Sequence, residues 1–307
     1  KKHLGQHFLK DKNICQKIAD QFTHHQGVKT AIEIGPGMGA LTEYLLQDPE
    51  TDLYVMDLDE ESVDYLKVHF PQLNGKITFG DFLKMDPKSI VGDKPFAVLG
   101  NFPYNISSQI LFKCIDFKDS IPEIMGMFQK EVAERVAEKP GTKVYGIMSV
   151  LLQAFYDITY CFTVDEHVFN PPPKVKSGVI RCTRNTRDKL DCNEELFIRI
   201  VKMSFNQRRK TIRNSIKQLI KDKGFDHPML NERPERLSVE QNHLLIDDAL
   251  PAVIDNVAYY QSMAKVVLGV STLTLIRLGL RRFPVFFVAI KKLSERVRAW
   301  QWSGHGR

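Results

Sequence analysis

Residues 30–46 constrain this chain more than any other stretch. Thr30-Ala-Ile-Glu-Ile34 is an apolar run that enters Gly35-Pro-Gly-Met-Gly39 and leaves through the helical pattern Ala40–Leu46. A strand, a glycine-rich turn and a helix in that order open a βαβ unit, which needs further strands parallel to the first. The chain supplies candidates in Leu53–Met56, Ile77–Phe79, Phe96–Leu99, Ile124–Phe128, Tyr156–Val164 and Gly178–Thr183. Helical periodicity fills several gaps: Asn13–Gln26, with Ile14, Ile18 and Phe22 at i, i+4 spacing, then Glu60–His69 and Ser107–Ile115. The pattern predicts an α/β fold with a mostly parallel, doubly wound, Rossmann-like sheet. The last two strands have less helix between them, which fits an antiparallel edge.

From Arg184 the pattern turns helical, with Glu194–Phe205 and Arg209–Ile220, so the catalytic domain is expected over 1–184 and a small all-α domain over 185–250. Residues 251–307 form an atypical tail to which no function is assigned. Within it Val266–Ile290 is strongly apolar, but Arg277, Arg281 and Arg282 interrupt it. No run reaches the ~18 apolar residues a membrane span needs, and no membrane partner is expected.

Charge divides the chain in the same way. Residues 1–173 carry 17 Lys+Arg against 24 Asp+Glu, residues 174–241 carry 17 against 9, and residues 242–307 carry 9 against 4. An acidic first part and a basic second part suggest chemistry in the former and a polyanion held by the latter. At 43% hydrophobic and 26% charged the chain lies in the globular range, which excludes wholesale disorder and fibrous repeats. Cys15, Cys114, Cys161, Cys182 and Cys192 show no CxxC or Cys/His ligand spacing, so reduced thiols, a cytoplasmic location and no metal are expected. The chain opens Lys1-Lys-His-Leu without an apolar leader or a starting Met, so a few preceding residues are expected.

The first glycine loop serves two ligands. Its glycines let backbone approach a nucleotide, and the following helix presents free N–H donors. Asp57, at the end of the next strand, is placed to accept from ribose hydroxyls. Read as GxGxxA the loop suits a dinucleotide; read as ExGxGxG it suits S-adenosylmethionine, which has no pyrophosphate for Glu33 to repel. A tight structural turn is the plain alternative.

The second loop, Gly100-Asn101-Phe102-Pro103-Tyr104-Asn105, decides between them. It follows the fourth strand, at the carboxyl edge where doubly wound sheets bind ligands. An exocyclic adenine amine is a poor nucleophile because its lone pair is delocalised into the ring. The Asn101 carboxamide and a backbone carbonyl can accept both of its N–H bonds, favouring the pyramidal amine that attacks a methyl group. Pro103 stiffens the loop, and Tyr104 offers a face for a base. A sulfonium leaving group needs no strong base, so positioning suffices.

With these loops the chain resembles the rRNA adenine N6-dimethyltransferases, most closely their small-subunit (KsgA) type. The resemblance runs in order through Gly5–Leu9, Glu33–Thr42, Gly80–Phe82, Asn101–Ser107, Gln129–Arg135, Pro140–Tyr145, Phe169–Val175 and Phe205–Asn214. It covers residues 1 to about 241. It implies a methyltransferase sheet using S-adenosylmethionine, and it assigns parts. Gln6, His7 and Leu9 would belong to a segment closing over the cofactor, Gly35 and Gly37 would line its methionine and ribose side, and Asp57 stands where the family usually has Glu. Asp81 would accept from the cofactor's adenine, with Phe82 beside the ring. Asn101 and the Phe102 carbonyl would hold the target amine, Phe102 replacing the commoner Leu or Ile. Phe169, ahead of three prolines, would stack on a flipped target base opposite Tyr104.

The RNA side would fall to Lys174 and to a basic helix on which Arg209, Arg213, Lys217 and Lys221 repeat at i, i+4, widened by Arg208 and Lys210. The resemblance implies N6 dimethylation of two adjacent adenosines in the 3′-terminal hairpin of small-subunit rRNA, within a partly assembled 30S subunit, by a monomer. Large-subunit methylation of the Erm kind and a non-catalytic assembly factor are the alternatives. A nicotinamide dehydrogenase is remote, because no catalytic His/Lys/Tyr set accompanies the glycine loop.

Overall fold

The computed structural model describes residues 8–220, 224–250 and 253. The chain divides into two compact units, Lys1–Leu190 and Asp191–Arg307. The first unit runs β1 (Phe8–Leu9), α1 (Lys12–Ala19), β2 (Thr30–Ile34), α2 (Thr42–Leu45), β3 (Asp52–Asp57), α3 (Glu60–His69), β4 (Ile77–Phe79), α4 (Lys88–Val91), β5 (Phe96–Asn101) and α5 (Ser107–Asp116). It continues with β6 (Glu123–Gln129), α6 (Lys130–Ala137), α7 (Ile147–Gln153), β7 (Tyr156–Val164), β8 (Phe169–Asn170) and β9 (Ser177–Arg184).

Seven strands form one sheet in the order β4-β3-β2-β5-β6-β9-β7. The first five are parallel, with Thr30 opposite both Asp52 and Phe96, while β9 runs antiparallel to β6 and β7. This is the doubly wound sheet with an antiparallel edge that the alternation predicts, and each of the seven expected strands is present. Side chains explain the arrangement. All of β2 and the first five residues of β5 are buried, as strands covered on both faces must be, whereas buried and more open positions mix along β7 at the edge. From β2 the sheet grows through β3 and β4 in one direction and through β5 in the other. The reversal leaves a crevice at the carboxyl ends of β2 and β5.

Close backbone approach fixes two glycines there. A Cβ on Gly126 of β6 would lie 2.3 Å from the Gly100 carbonyl and 2.4 Å from the Phe102 ring; one on Gly100 would lie 2.7 Å from the Ile34 carbonyl.

Two helix expectations are corrected, one in each unit. The helix foreseen over Asn13–Gln26 ends at Ala19, because buried Glu123 takes the backbone N–H groups of Thr23 and His25, each at 2.9 Å, and the Thr23 hydroxyl. Those donors are then lost to helix propagation. Helices α6 and α7, which the periodicity did not single out, lie between β6 and β7.

In the second unit the described residues form helices and turns: α8 (Glu194–Asn206), α9 (Ile212–Ser215), 3₁₀ turns at Pro228–Asn231 and Pro234–Arg236, and a helix over 239–250. The continuous helix expected over Arg209–Ile220 is absent. The chain turns at Gln207–Lys210, Thr211 is extended, and the Ile212 N–H donates to the Glu232 carbonyl 2.9 Å away. Only one helical turn follows, so Arg209 and Arg213 do not share a continuous helical face. Lys221 and the tail 254–307 lie outside the described residues. Among the described residues no helix is long and apolar enough to cross a membrane.

Candidate active site

The crevice is a cleft of about 160 Å³. Four chain segments from the carboxyl side of the sheet build it: Glu33–Gly37 at the end of β2, Met56–Leu58 at the end of β3, Gly80–Phe82 after β4, and Asn101–Ile106 at the end of β5. Phe8 and Leu9 of β1, with Ala40 and Leu41 ahead of α2, complete its lining. Of the residues singled out in the sequence, Leu9, Gly35, Gly37, Asp57, Asp81, Phe82, Asn101, Phe102 and Tyr104 therefore meet at one place. Gln6 and His7 lie outside the described residues.

The glycine loop keeps its shape through Asp57. Gly37 has φ 55°, where a side chain would be strained, and its N–H donates to Asp57 Oδ2 at 3.0 Å. The other carboxylate oxygen accepts from the Asp59 N–H at 2.9 Å. Burial raises the Asp57 pKa, and these N–H donors oppose the rise. Glu33 is more deeply buried. Burial, reinforced by the negative charge of Asp57, pushes its carboxyl up to about 8 against the opposing bond from the Thr42 hydroxyl. That bond is 2.7 Å long.

Among the described residues the lining contains three carboxyl groups, Glu33, Asp57 and Asp81, and no Lys, Arg or His side chain. A pyrophosphate would meet three acids here without a counter-charge. A ligand carrying a sulfonium and an ammonium would meet the Asp57 and Asp81 carboxylates and would favour the charged form of Glu33, so S-adenosylmethionine suits this lining better than a dinucleotide.

On the far wall, Asp81 opens a turn. Its Oδ1 accepts from the Leu83 N–H at 3.0 Å, its Oδ2 lies 3.4 Å from Lys84 Nζ, and Phe82 is buried beside it. Asn101 is the last residue of β5 and half-buried. The Phe102 N–H donates to the Met127 carbonyl at 3.2 Å, and its ring lies over Gly126 and 4.9 Å from the Phe128 ring. A bulky aromatic is accommodated at this position because its neighbour on β6 has no side chain. Tyr104 shares a 2.5 Å hydrogen bond with the Ser177 hydroxyl, and burial raises its phenol pKa.

Phe169 does not line the cleft. It is 1% exposed, pairs with Leu9 in the two-residue β1–β8 ladder and belongs to the main apolar core. This corrects the picture of an exposed stacking ring: burying a Phe among Leu9, Val164 and Val179 is worth more than leaving it in water.

The basic residues lie elsewhere in the chain. Lys174, Arg209, Lys210 and Lys217 are exposed. Arg208 lies 3.8 Å from Glu235, and Arg213 pairs with Asp226 and donates to Asn231 at 3.2 Å, so each is also engaged within its own unit.

Sequence reasoning missed Thr42 and Ser177. Neither carries a motif signal of its own; each matters only through the side chain it bonds.

A family model described as "Ribosomal RNA adenine dimethylase" matches residues 1–245. A curated relative from Cytophaga hutchinsonii, named "Ribosomal RNA small subunit methyltransferase A", is 57% identical over 242 residues, covering 78% of this chain and 93% of its own. One of that name from Bacteroides fragilis is 50% identical over 270 residues, covering 85% and 97%. Among solved structures, a dimethyladenosine transferase from Plasmodium falciparum shares the fold at TM-score 0.66 and 23% identity, covering 80% of this chain and 98% of its own. The 23S rRNA methyltransferase ErmE does so at TM-score 0.56 and 23% identity, covering 78% and 99%. With the family model spanning most of its length and relatives at this identity, the chain belongs to the ribosomal RNA adenine dimethylase family.

Proposed function

We propose that this protein is a 16S rRNA adenine dimethyltransferase, acting on N6 of two adjacent adenosines in the 3′-terminal hairpin of the small-subunit rRNA. The observation that carries the reading is the juxtaposition of an acidic cleft with the Asn101–Tyr104 loop at the same sheet edge. When bound, S-adenosylmethionine supplies an electrophilic methyl group on a sulfonium. Asp57 braces the glycine loop and keeps lone pairs for ribose hydroxyls, while Asp81 and Phe82 offer an acceptor and an apolar face to adenine. Glu33 presents a carboxyl whose negative charge a bound cation would restore. The Asn101 carboxamide oxygen and the Phe102 carbonyl accept the two N–H bonds of the target amine, leaving its lone pair free to attack. Tyr104, tethered by Ser177, gives the extruded base a flat neighbour.

Residues 1–184 are then the catalytic domain and 185–250 the RNA-holding domain, in which Arg208, Arg209, Lys210, Arg213 and Lys217, with Lys174 of the catalytic domain, meet phosphates. The substrate is a partly assembled 30S subunit in the cytoplasm, and the enzyme works as a monomer in ribosome biogenesis. The same names among its relatives support the small-subunit substrate over the large.

The test uses the purified full chain, tritiated S-adenosylmethionine and small subunits lacking the hairpin methylation. Label on small-subunit adenosine, reduced at least ~100-fold by Asn101→Ala while cofactor affinity changes little, is expected. Label on large-subunit rRNA would transfer the protein to the Erm kind of activity. Tight subunit binding without label would make it an assembly factor.

A further inference from the structure

Helix α5 begins three residues after Tyr104 and carries Lys113 to the turn that follows β4. The Lys113 ammonium donates to the carbonyl oxygens of both Phe82 and Met85. It lies 5.1 Å from the Phe82 ring centroid and 5.8 Å from that of Phe117. The turn already closes on itself, since the Asp81 carbonyl accepts from Lys84 and Met85 N–H groups at 3.0 Å and the Asp81 side chain accepts from Leu83. That winding aims two carbonyls at one half-buried spot, where they need a donor that does not belong to the turn. A lysine suits the spot: a compact cation with several donors meets two carbonyl dipoles at once and rests near the negative face of an aromatic ring. Burial lowers the Lys113 pKa, and the Asp86 and Asp81 carboxylates oppose that.

We propose that Lys113 is a positioning residue for the cofactor's base: by clamping the Phe82 and Met85 carbonyls it fixes the Asp81–Met85 turn, and so places the Asp81 acceptor and the Phe82 ring that distinguish adenine. The proposal rests on the assignment of the cleft to S-adenosylmethionine. It gives α5 two duties, since the helix that leaves the target-amine loop also braces the opposite wall of the cleft. Lys113 is absent from the cleft lining, so its effect is on selectivity for the base rather than on the methyl transfer itself.

The experiment compares the full chain with Lys113→Met, which keeps the stem and loses the donors, and with Lys113→Arg, which keeps charge and donors in another geometry. Calorimetry measures the affinity of each for S-adenosylhomocysteine and for its hypoxanthine counterpart, where a carbonyl replaces the amino group Asp81 would read. Thermal unfolding is recorded alongside. Wild type should prefer the adenine compound. Lys113→Met should bind that compound about tenfold more weakly, the worth of one hydrogen bond to a charged group, with the hypoxanthine compound little affected. The preference should then fall towards one and recover in part in Lys113→Arg. If Lys113→Met loses its thermal transition, Lys113→Gln serves the same comparison. A variant that keeps the wild-type preference, whether or not both affinities drop together, overturns the role of Lys113. Wild type that binds neither compound overturns the cofactor assignment and this inference with it.

Discussion

Glu33 is a carboxyl folded into a place where its charge is unwelcome, and this has a measurable consequence at the scale of one residue. Its pKa rises from 4.5 to about 8, chiefly through burial. Between those values the folded protein holds a proton that the unfolded chain releases. Stability from the protonated form is therefore fully present below pH 4.5 and is lost as pH rises through about 8. Glu33→Gln removes this dependence while leaving the Thr42 hydroxyl a partner. The melting temperature of the variant should overtake that of wild type increasingly from pH 5 to pH 8, with weaker cofactor binding throughout. A gap that does not change with pH would sink the argument. The sequence placed Glu33 at the end of a strand before a glycine loop, where it argued against a pyrophosphate ligand. Its titration depends on its burial first and on Thr42 and Asp57 beside it, which no local pattern displays.

At the scale of elements, the Asn101 loop depends on two glycines in neighbouring strands. Gly126→Ala would press a methyl group against the Gly100 carbonyl and the Phe102 ring. Overpacking of this kind costs about 1–3 kcal/mol, so denaturant midpoints should fall by a corresponding amount. Phe102→Leu in the same chain should recover part of the loss, because it relieves the ring contact but not the backbone one. Simple additivity of the two substitutions would contradict the packing described. The strands were legible because apolar runs bounded by turns have few other readings, and Glu60–His69 was legible in full because its periodicity continues to the last turn. Asn13–Gln26 was overestimated because Glu123, a hundred residues away in the chain, takes the donors of Thr23 and His25. The basic helix failed for a similar reason: the Glu232 carbonyl captures Ile212 and the chain turns before it.

For the whole molecule, the uneven charge predicts how substrate binding responds to salt. Residues 174–241 carry an excess of positive charge, and Arg209, Lys210 and Lys217 are exposed there. Replacing these three by Ala should weaken binding to small subunits and flatten the dependence of log K on log salt by roughly one for each phosphate that is no longer neutralised. Affinity for S-adenosylhomocysteine should not move. An unchanged salt slope would show that these residues do not touch phosphates. Arg213, already paired with Asp226, should contribute less to the slope than the three exposed residues, and its removal should show in the stability of its own unit.

The sequence by itself determined the seven strands, the glycine loop with its acidic neighbours and the Asn101–Tyr104 loop, because each is written in short-range periodicity or in residues that few other conformations accept. Tertiary structure alone decided which side chains serve them. Burial first, with Thr42 and Asp57 beside it, sets the charge of Glu33, Ser177 tethers Tyr104, Gly126 makes room for Phe102, and Phe169 goes to the core against Leu9 rather than to the cleft. Those outcomes follow from distances between residues far apart in the chain. Hydrogen bonding and close packing act through space, and only the folded sheet brings such residues within their few-ångström reach.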